Sequence, residues 1–358
     1  MRTILAALVI FVTMPAYSLT INLTNLGGVG PGTDALAGFN AAKAIWESSF
    51  SDNITINLNV KYGTTTISGS PYGGSTLGSA SSNKIVTTYS SFTGALTGDI
   101  TTTDDIAATN SLQSGSSFDM LLNRTRNNPN GVGSATPYID DDGNANNTSV
   151  RVNRANMKAI GLLDANNTGT DASIGFNSNF SFDFDHSDGI GVSQFDFIGV
   201  AIHEIGHALG FVSGVDILDI NSSSPYFFDY QFNDVSPLDM FRYSADSFAD
   251  GIIDWTADTR EKYFSIDGGM TNLAGFSTGS TWGADGHQAS HWRDNLVLGI
   301  MDPTFAYGEL GALKALDLQA LDVIGYDLVT VPLPGAVWLF GGALLALVGR
   351  RRRRSALH

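Results

Sequence analysis

Residues 194–211 restrict the possible folds of this chain more than any other segment. They read QFDFIGVAIHEIGHALGF, which is apolar on nearly every side of a helix, so a helix here is predicted to be buried. Ser193 is its predicted N-cap, because serine side chains accept hydrogen bonds from the first turn. The same segment carries His203, Glu204 and His207. Burying these groups unpaired is costly, so the fold must provide partners for them.

The spacing of the two histidines indicates a metal site. His203 and His207 are four residues apart, which places both rings on one helix face, one turn apart. Glu204 lies beside them and can take a proton from a water molecule on a shared zinc ion. The chain has no cysteine, so its metal ligands must be histidine or oxygen groups. The pattern predicts a zinc ion held by two histidines, with Glu204 as general base.

A catalytic zinc ion of this kind needs a third protein ligand, and the residues alone leave its identity open. Gly210 is predicted to end the helix, because glycine tolerates the positive φ of a helix terminus. Ser213, three residues further on, is a poor zinc ligand. The side chains that could complete the site are His287, His291, Asp216, Glu261 and Glu309.

A family resemblance favours one of these candidates. The string from His203 to Gly210, with its glycine three residues after the second histidine, resembles the metzincin metalloproteases. Ser290-His291-Trp292, followed by Met301 ten residues after His291, is similar to their leishmanolysin branch, in which a long insertion separates the helix from the third ligand. The resemblance covers roughly residues 195–325. It implies that His291 is the third zinc ligand and that Met301 is the Met-turn residue beneath the metal.

The fold class predicted from these features is α+β. We expect a metzincin-like zinc-protease fold with a twisted mixed sheet, an active-site helix, a C-terminal subdomain and a C-terminal transmembrane helix. Residues 62–117 are rich in Gly, Ser and Thr and are predicted to form loops with at most one short helix. Apolar periodicity predicts a helix from Asp34 to about Ser49, strands at 54–60, 118–122 and 172–184, and a helix at 313–325.

The two ends of the chain are predicted to be targeting segments. Residues 1–18 have the basic start, apolar core and small residues of a secretory signal peptide. Residues 331–349 are uncharged and long enough to span a bilayer as a helix, and a basic tail follows at 350–358. This end resembles the PEP-CTERM sorting signal of Gram-negative bacteria, although Val331-Pro332-Leu333-Pro334 replaces its usual Pro-Glu-Pro.

The sorting-signal resemblance implies export, processing by an exosortase, and a location at the cell surface or in the extracellular matrix. The body of the chain, 19–330, is the predicted metalloprotease domain, with an N-terminal lobe to about residue 212. A net charge of −16 disfavours a nucleic-acid partner. Calcium is a second candidate ion, because acidic loops at 140–144 and 183–189 offer oxygen ligands; solvated turns are the alternative.

These features together predict an exported zinc-dependent endopeptidase that acts on a protein or peptide substrate. Three histidines leave one zinc position open for water, and Glu204 is the general base. Tyr307 is a candidate donor to the developing oxyanion. The alternative function is a non-catalytic surface or biofilm-matrix protein that retains a metal site. The sorting-type tail and the Gly/Ser/Thr/Asn-rich composition motivate that alternative.

Overall fold

The computed structural model of the protein describes residues 19–329. The predicted signal peptide, the predicted helix at 331–349 and the basic tail lie outside the described residues. Within residues 19–329, no helix is long and apolar enough to cross a membrane. The described chain as far as Leu328 forms one compact unit.

The described chain contains both strands and helices, interspersed along its length. The strands are β1 (Thr20–Asn25), β2 (Thr55–Gly63), β3 (Gly78–Ser82), β4 (Lys84–Thr88), β5 (Met120–Leu122), β6 (Tyr138–Asp140), β7 (Ser149–Asn153), β8 (Ala172–Asn177), β9 (Phe182–Asp183), β10 (Phe195–Asp196), β11 (Arg242–Tyr243), β12 (Ile253–Asp254), β13 (Lys262–Phe264) and β14 (Ala274–Phe276). The α-helices are α1 (Asp34–Glu47), α2 (Tyr89–Gly98), α3 (Thr103–Ser111), α4 (Ala145–Thr148), α5 (Arg154–Ala159), α6 (Phe197–Leu209), α7 (Val215–Asn221), α8 (Ala245–Asp250) and α9 (Ala315–Asp322). Short 3₁₀ helices lie at His186–Asp188, Asp229–Gln231 and Leu238–Phe241.

The largest sheet has the strand order β1-β2-β8-β3. β1, β2 and β8 are parallel, and β3 runs antiparallel to β8 at the edge. Helix α1 connects β1 to β2, because parallel neighbours need a crossover connection. Along β2 the buried residues Ile56, Leu58 and Val60 alternate with partly exposed ones, as the period of a half-buried strand requires.

The predicted α+β fold class is wrong. The described chain is a mixed α/β protein with nine α-helices and several sheets. Its central strands are mainly parallel and are joined through helices, which is not the segregated arrangement of an α+β fold. The sequence did not reveal this arrangement because parallel pairing brings together strands far apart in the chain, such as β2 and β8. The metzincin-like fold predicted with that class is withdrawn with it, whereas the transmembrane helix predicted at 331–349 lies outside the described residues.

The prediction of loops for residues 62–117 is also wrong. This region contains β3, β4, α2 and α3. The two helices begin at threonine caps: the Thr88 side chain accepts from the Ser91 amide, and the Thr102 side chain accepts from the Asp105 amide. Their apolar periodicity is weak because Ser, Thr and Gly occupy most of their exposed faces, so the cap residues were the better signal.

Helix α1 fixes the position of α6 in the core. The Trp46 indole N–H donates to the Ile202 carbonyl at 3.0 Å, and Trp46 is fully buried. Closer to its N-terminus, Gly38 allows close approach, because a Cβ there would lie 2.4 Å from the Phe197 ring. The predicted helix at Asp34 is present, although Thr33 and not Asp34 is its cap. The two helices thus pack directly, and α6 is held against a rigid partner.

Candidate metal centre

Helix α6 carries three ionisable residues of the candidate site, His203, Glu204 and His207. It begins at Phe197, and its N-cap is Asp196, whose side chain accepts from the Gly199 amide. The prediction of Ser193 as N-cap is wrong, because Phe195 and Asp196 pair with β9 as strand β10 before the helix starts. The helix ends at Gly210, whose φ of 139° is a conformation that glycine favours.

Three histidine side chains meet at one point. The Nε2 atom of His207 lies 3.1 Å from that of His203 and 3.2 Å from that of His291. Two nitrogens bound to one tetrahedral zinc at about 2.0–2.1 Å are separated by about 3.3 Å. The spacing of the His207 nitrogen from each of the other two therefore matches the ligand spacing of a single zinc ion, and all three nitrogens lie within 4.8 Å of one another.

The hydrogen bonds of the Nδ1 atoms determine which ring nitrogen of each histidine faces this point. Each Nδ1 lies against a backbone carbonyl: His203 against Ile300 at 2.8 Å, His207 against Phe211 at 2.7 Å, and His291 against Gln288 at 3.2 Å. A carbonyl can only accept, so each Nδ1 carries the proton and each Nε2 presents a lone pair. This is the outer hydrogen bonding that orients metal-bound histidines.

Burial keeps the three imidazoles neutral. It lowers the pKa of His203 to about 4 and that of His207 to about 3, the latter with a contribution from His203. It lowers the pKa of His291 well below its ordinary value, with His207 and His203 adding to the effect. Near neutral pH three lone pairs therefore point at each other with no proton between them. A bound cation removes that repulsion.

Glu204 lies on the same helix beside the histidines. It is 6% exposed and forms no ion pair with any residue of the described chain. Burial raises its pKa to about 8, and the Ala80 backbone acts in the opposite direction. Gly78 gives it room, because a Cβ there would lie 3.0 Å from Glu204 Oε1. The carboxyl group thus lies buried next to the three nitrogens, and burial favours its protonated form.

The loop that carries His291 is held by two of the residues considered in the search for a third ligand. The Asp216 carboxylate accepts from the Ala289 amide at 2.6 Å and from the Ser290 hydroxyl at 2.5 Å. The Ser213 amide donates to the same hydroxyl at 2.8 Å. Asp216 and Ser213 therefore support the His291 loop and do not join the group of three nitrogens.

The other candidates for a third ligand lie elsewhere. His287 lines the cleft, but its Nε2 faces Asp294 at 3.4 Å. Glu261 is exposed beside Arg293, and Glu309 accepts from the backbone of the loop after Pro303. Of the described histidines, His203, His207 and His291 are the ones grouped within metal-binding distance.

Met301 lies directly beneath helix α6 and is fully buried. A Cβ on Gly206 would lie 2.5 Å from the Met301 sulfur, so this contact requires a glycine on the helix. The Met301 carbonyl accepts from the Trp292 amide at 2.9 Å. These contacts join the Met301 turn to both ligand-bearing segments.

Asp317 on α9 is a supporting residue that the sequence analysis missed. Its Oδ1 accepts from the Trp292 indole at 2.8 Å and from the Met301 amide at 3.3 Å. Its Oδ2 accepts from the amides of Ile300 and Lys314, both at 2.8 Å. It thus holds the turn whose carbonyl orients His203 and the residue next to His291. Its capping position three residues after Lys314 was the available signal, but that pattern is common.

A cleft of about 760 Å³ opens onto the three histidines and Glu204. The edge strand β3 borders it, and its apolar lining comes from Phe180, Phe195, Val200 and Phe305. Tyr307, the predicted oxyanion donor, is 58% exposed and its ring lies 4.2 Å from that of Phe195, outside the cleft lining. The cleft is large enough for an extended segment of polypeptide beside the metal centre.

Comparisons with protein-family models, with curated proteins and with solved structures find no significant match for this chain.

Proposed function

We propose that this protein is a zinc-dependent endopeptidase. The observation that carries the proposal is the convergence of three Nε2 atoms next to a buried glutamate, with that of His207 at 3.1 Å from that of His203 and 3.2 Å from that of His291. Three protein ligands leave a fourth zinc position open, which distinguishes catalytic from structural zinc sites. The chemistry of the donors fits zinc, because imidazole nitrogens suit it well.

His203, His207 and His291 would hold the zinc ion. Once bound, zinc supplies Lewis-acid chemistry, in which a peptide carbonyl is polarised and the pKa of water is lowered toward about 7. Glu204 accepts a proton from the attacking water and delivers it to the amine of the leaving product. The burial of Glu204 suits it to this task, since it favours the protonated form between the two transfers.

The position of the edge strand β3 supports the proposal that the substrate is a polypeptide. β3 pairs with β8 on one side only, and its residues Gly78, Ser79 and Ala80 line the cleft. An extended peptide can add to such an edge through main-chain hydrogen bonds, which bind any sequence. Side chains of the substrate would then alternate between the cleft and solvent.

The resemblance to metzincins, the export of the protein and its processing by an exosortase stay predictions. The predicted targeting signals lie at the two ends of the sequence, outside residues 19–329, and the metzincin resemblance rests on the motif residues alone. The proposed enzymatic activity depends neither on the targeting signals nor on the resemblance.

The test is the substitution Glu204→Gln, which keeps the size of the side chain and removes its basicity. We expect a folded protein that binds zinc as the parent does and hydrolyses casein at least about 10²-fold more slowly, the range of a lost general base. The control is Glu261→Gln, which changes an exposed glutamate and should leave hydrolysis unchanged. Equal activity of the Glu204→Gln variant and the parent would refute the mechanism. A zinc-loaded parent protein that cuts no polypeptide would favour the alternative, a non-catalytic matrix protein.

A further inference from the structure

A buried arginine lies behind the segment that carries His291. Arg242 is on strand β11 and is 1% exposed. Within residues 19–329 it forms no ion pair with any carboxylate. Burying a guanidinium group without a paired carboxylate is costly, because the charge loses its hydration. The contacts that the group makes instead therefore indicate what it does.

The guanidinium group donates to two main-chain carbonyls next to His291. Its Nη2 donates to the Ser277 carbonyl at 2.8 Å, and its Nη1 makes a longer contact of 3.4 Å with the Ala289 carbonyl. Ala289 precedes His291 by two residues. Ser277 pairs with His291 directly, because the Ser277 amide donates to the His291 carbonyl at 3.0 Å. Both hydrogen bonds of Arg242 thus act on the main chain around this histidine.

An aromatic stack connects Arg242 to the residue that follows His291. The guanidinium carbon lies 5.1 Å from the centroid of the Phe276 ring, which is within cation–π range. The Phe276 ring in turn stacks on the Trp292 ring, with centroids 5.0 Å apart and planes 18° apart. The main chains of these two residues also form a β-bridge. Arg242 therefore supports the chain on both sides of His291.

An opposite charge holds Ala289 at its other polar group. The Asp216 carboxylate accepts from the Ala289 amide at 2.6 Å, whereas Arg242 donates to the Ala289 carbonyl. Burial raises the pKa of Asp216 to about 6, and the hydrogen bonds from Ser290 and Ala289 and the charge of Arg242 oppose that rise. Hydrogen bonds to ionised partners are stronger than neutral ones, so Ala289 is held firmly between a cation and an anion.

We propose that Arg242 is a positioning residue that keeps His291 in place to complete the metal centre. The inference rests on the zinc centre of the proposed function. One helix places His203 and His207, whereas His291 comes from a distant loop, so its position depends on tertiary contacts. Arginine suits this task, because its planar group presents several donors in a fixed geometry and stacks on aromatic rings.

The test compares Arg242→Met with Lys158→Met in the full-length protein. Lys158 is the matched control, because it is also a buried cation and donates to the Thr55 carbonyl and to Asp171. These partners are not residues that hydrogen-bond any of the three histidines. Zinc affinity is measured by competition with a chelator, and the geometry of the site by the visible spectrum of the cobalt-substituted protein.

We expect the zinc affinity of Arg242→Met to fall by about 10–100-fold, the range for loss of an outer-shell partner, and its cobalt spectrum to change. Lys158→Met should keep the affinity and the spectrum of the parent. Arg242→Lys keeps the charge and should recover part of the lost affinity; an affinity no better than that of Arg242→Met would contradict the role of the charge.

Two results would overturn the proposal. One is a destabilised Arg242→Met that retains the zinc affinity and cobalt spectrum of the parent, and the other is an equal loss of zinc affinity in Lys158→Met. If neither Arg242 variant folds, the parent protein provides the test: zinc should slow the exchange of the Arg242 guanidinium protons with solvent, and exchange that zinc leaves unchanged would overturn the proposal.

These measurements report zinc binding and not hydrolysis. If the parent binds zinc and cuts casein, a negative result refutes the role of Arg242 alone. A parent protein that binds no zinc would refute the proposed function and the role of Arg242 together.

Discussion

The substitution Asp317→Asn tests whether the support beneath the metal centre controls its geometry. Asp317 is fully buried, and each of its two oxygens accepts from two N–H groups. Asparagine has nearly the same shape but only one oxygen. In either amide orientation its NH₂ group must therefore face two N–H donors, and two hydrogen bonds are lost.

The expected loss of stability follows from these two hydrogen bonds. A hydrogen bond to a charged acceptor contributes about 1.5–3 kcal/mol to stability, so we expect the free energy of unfolding to fall by roughly 3–6 kcal/mol. The Ile300 carbonyl orients His203, and loss of such outer-shell support typically weakens metal binding by about 10–100-fold. The variant should thus bind zinc more weakly than the parent, even in its folded state.

The assay measures zinc affinity by competition with a chromophoric chelator and records the visible spectrum of the cobalt-substituted protein. Asp219→Asn is the control, because Asp219 is equally buried and accepts from the Thr281 and Trp282 amides, and these partners are not the residues that hydrogen-bond His203, His207 or His291. It should lose stability and keep its zinc affinity and cobalt spectrum. If Asp317→Asn is destabilised but has the zinc affinity and cobalt spectrum of the parent, the positioning role is refuted.

If Asp317→Asn does not fold, the parent protein still tests the same coupling. Zinc binding should slow hydrogen exchange at the Ile300 and Lys314 amides, which donate to Asp317, more than at the Thr281 amide, which donates to Asp219. Such coupling is reciprocal: if the hydrogen bonds of Asp317 favour zinc binding, zinc binding must favour those hydrogen bonds. Equal protection at all three amides would contradict the coupling.

Two further predictions concern packing and acid sensitivity. Gly206→Ala places a Cβ 2.5 Å from the Met301 sulfur and should lower the free energy of unfolding in urea by about 1–3 kcal/mol. Gly94→Ala in α2 is the control: its Cβ would have nothing within 4 Å, so the free energy of unfolding should rise by up to about 1 kcal/mol. Equal effects of the two substitutions would contradict the close contact. Burial raises the pKa of Asp258, but its ion pairs with Lys262 and Arg260 together outweigh burial and lower the pKa to about 2. Its stabilisation, about 2 kcal/mol, should be present above pH about 4 and be lost as the pH falls toward about 2. The stability difference between the zinc-free parent and Asp258→Asn should shrink over that interval, and a constant difference would argue against the ion pair.

Local features of the sequence were sufficient to predict the helical half of the site. His203, Glu204 and His207 lie within five consecutive positions, so helix geometry alone determines that the two rings share a face. The end of the helix at Gly210 is equally local. The alternation from Ile54 to Val60 predicted strand β2 for the same reason, since its period depends on neighbouring residues only.

Long-range contacts could not be predicted in this way. The residues left five candidates open as the third ligand, because a folded insertion of more than 80 residues decides which of them reaches α6. They were His287, His291, Asp216, Glu261 and Glu309. Only a family resemblance favoured His291. Asp317 was missed because its partners, Trp292 and Ile300, are brought to it by the fold.

The prediction of the fold class was wrong for the same physical reason. Strands β1, β2 and β8 carry ordinary strand patterns, and nothing local distinguishes parallel from antiparallel pairing.

The three carbonyl groups behind the histidines have a consequence for mutational robustness. Each is part of the main chain, at Ile300, Phe211 and Gln288, so exchanging one side chain at these positions deletes no acceptor. The acceptors are also uncharged, so they would not offset the positive charge of an ion bound by the three histidines. The hydrogen bonds that orient the three imidazoles are thus set by the backbone conformation. A change in these hydrogen bonds would require a change in the backbone itself.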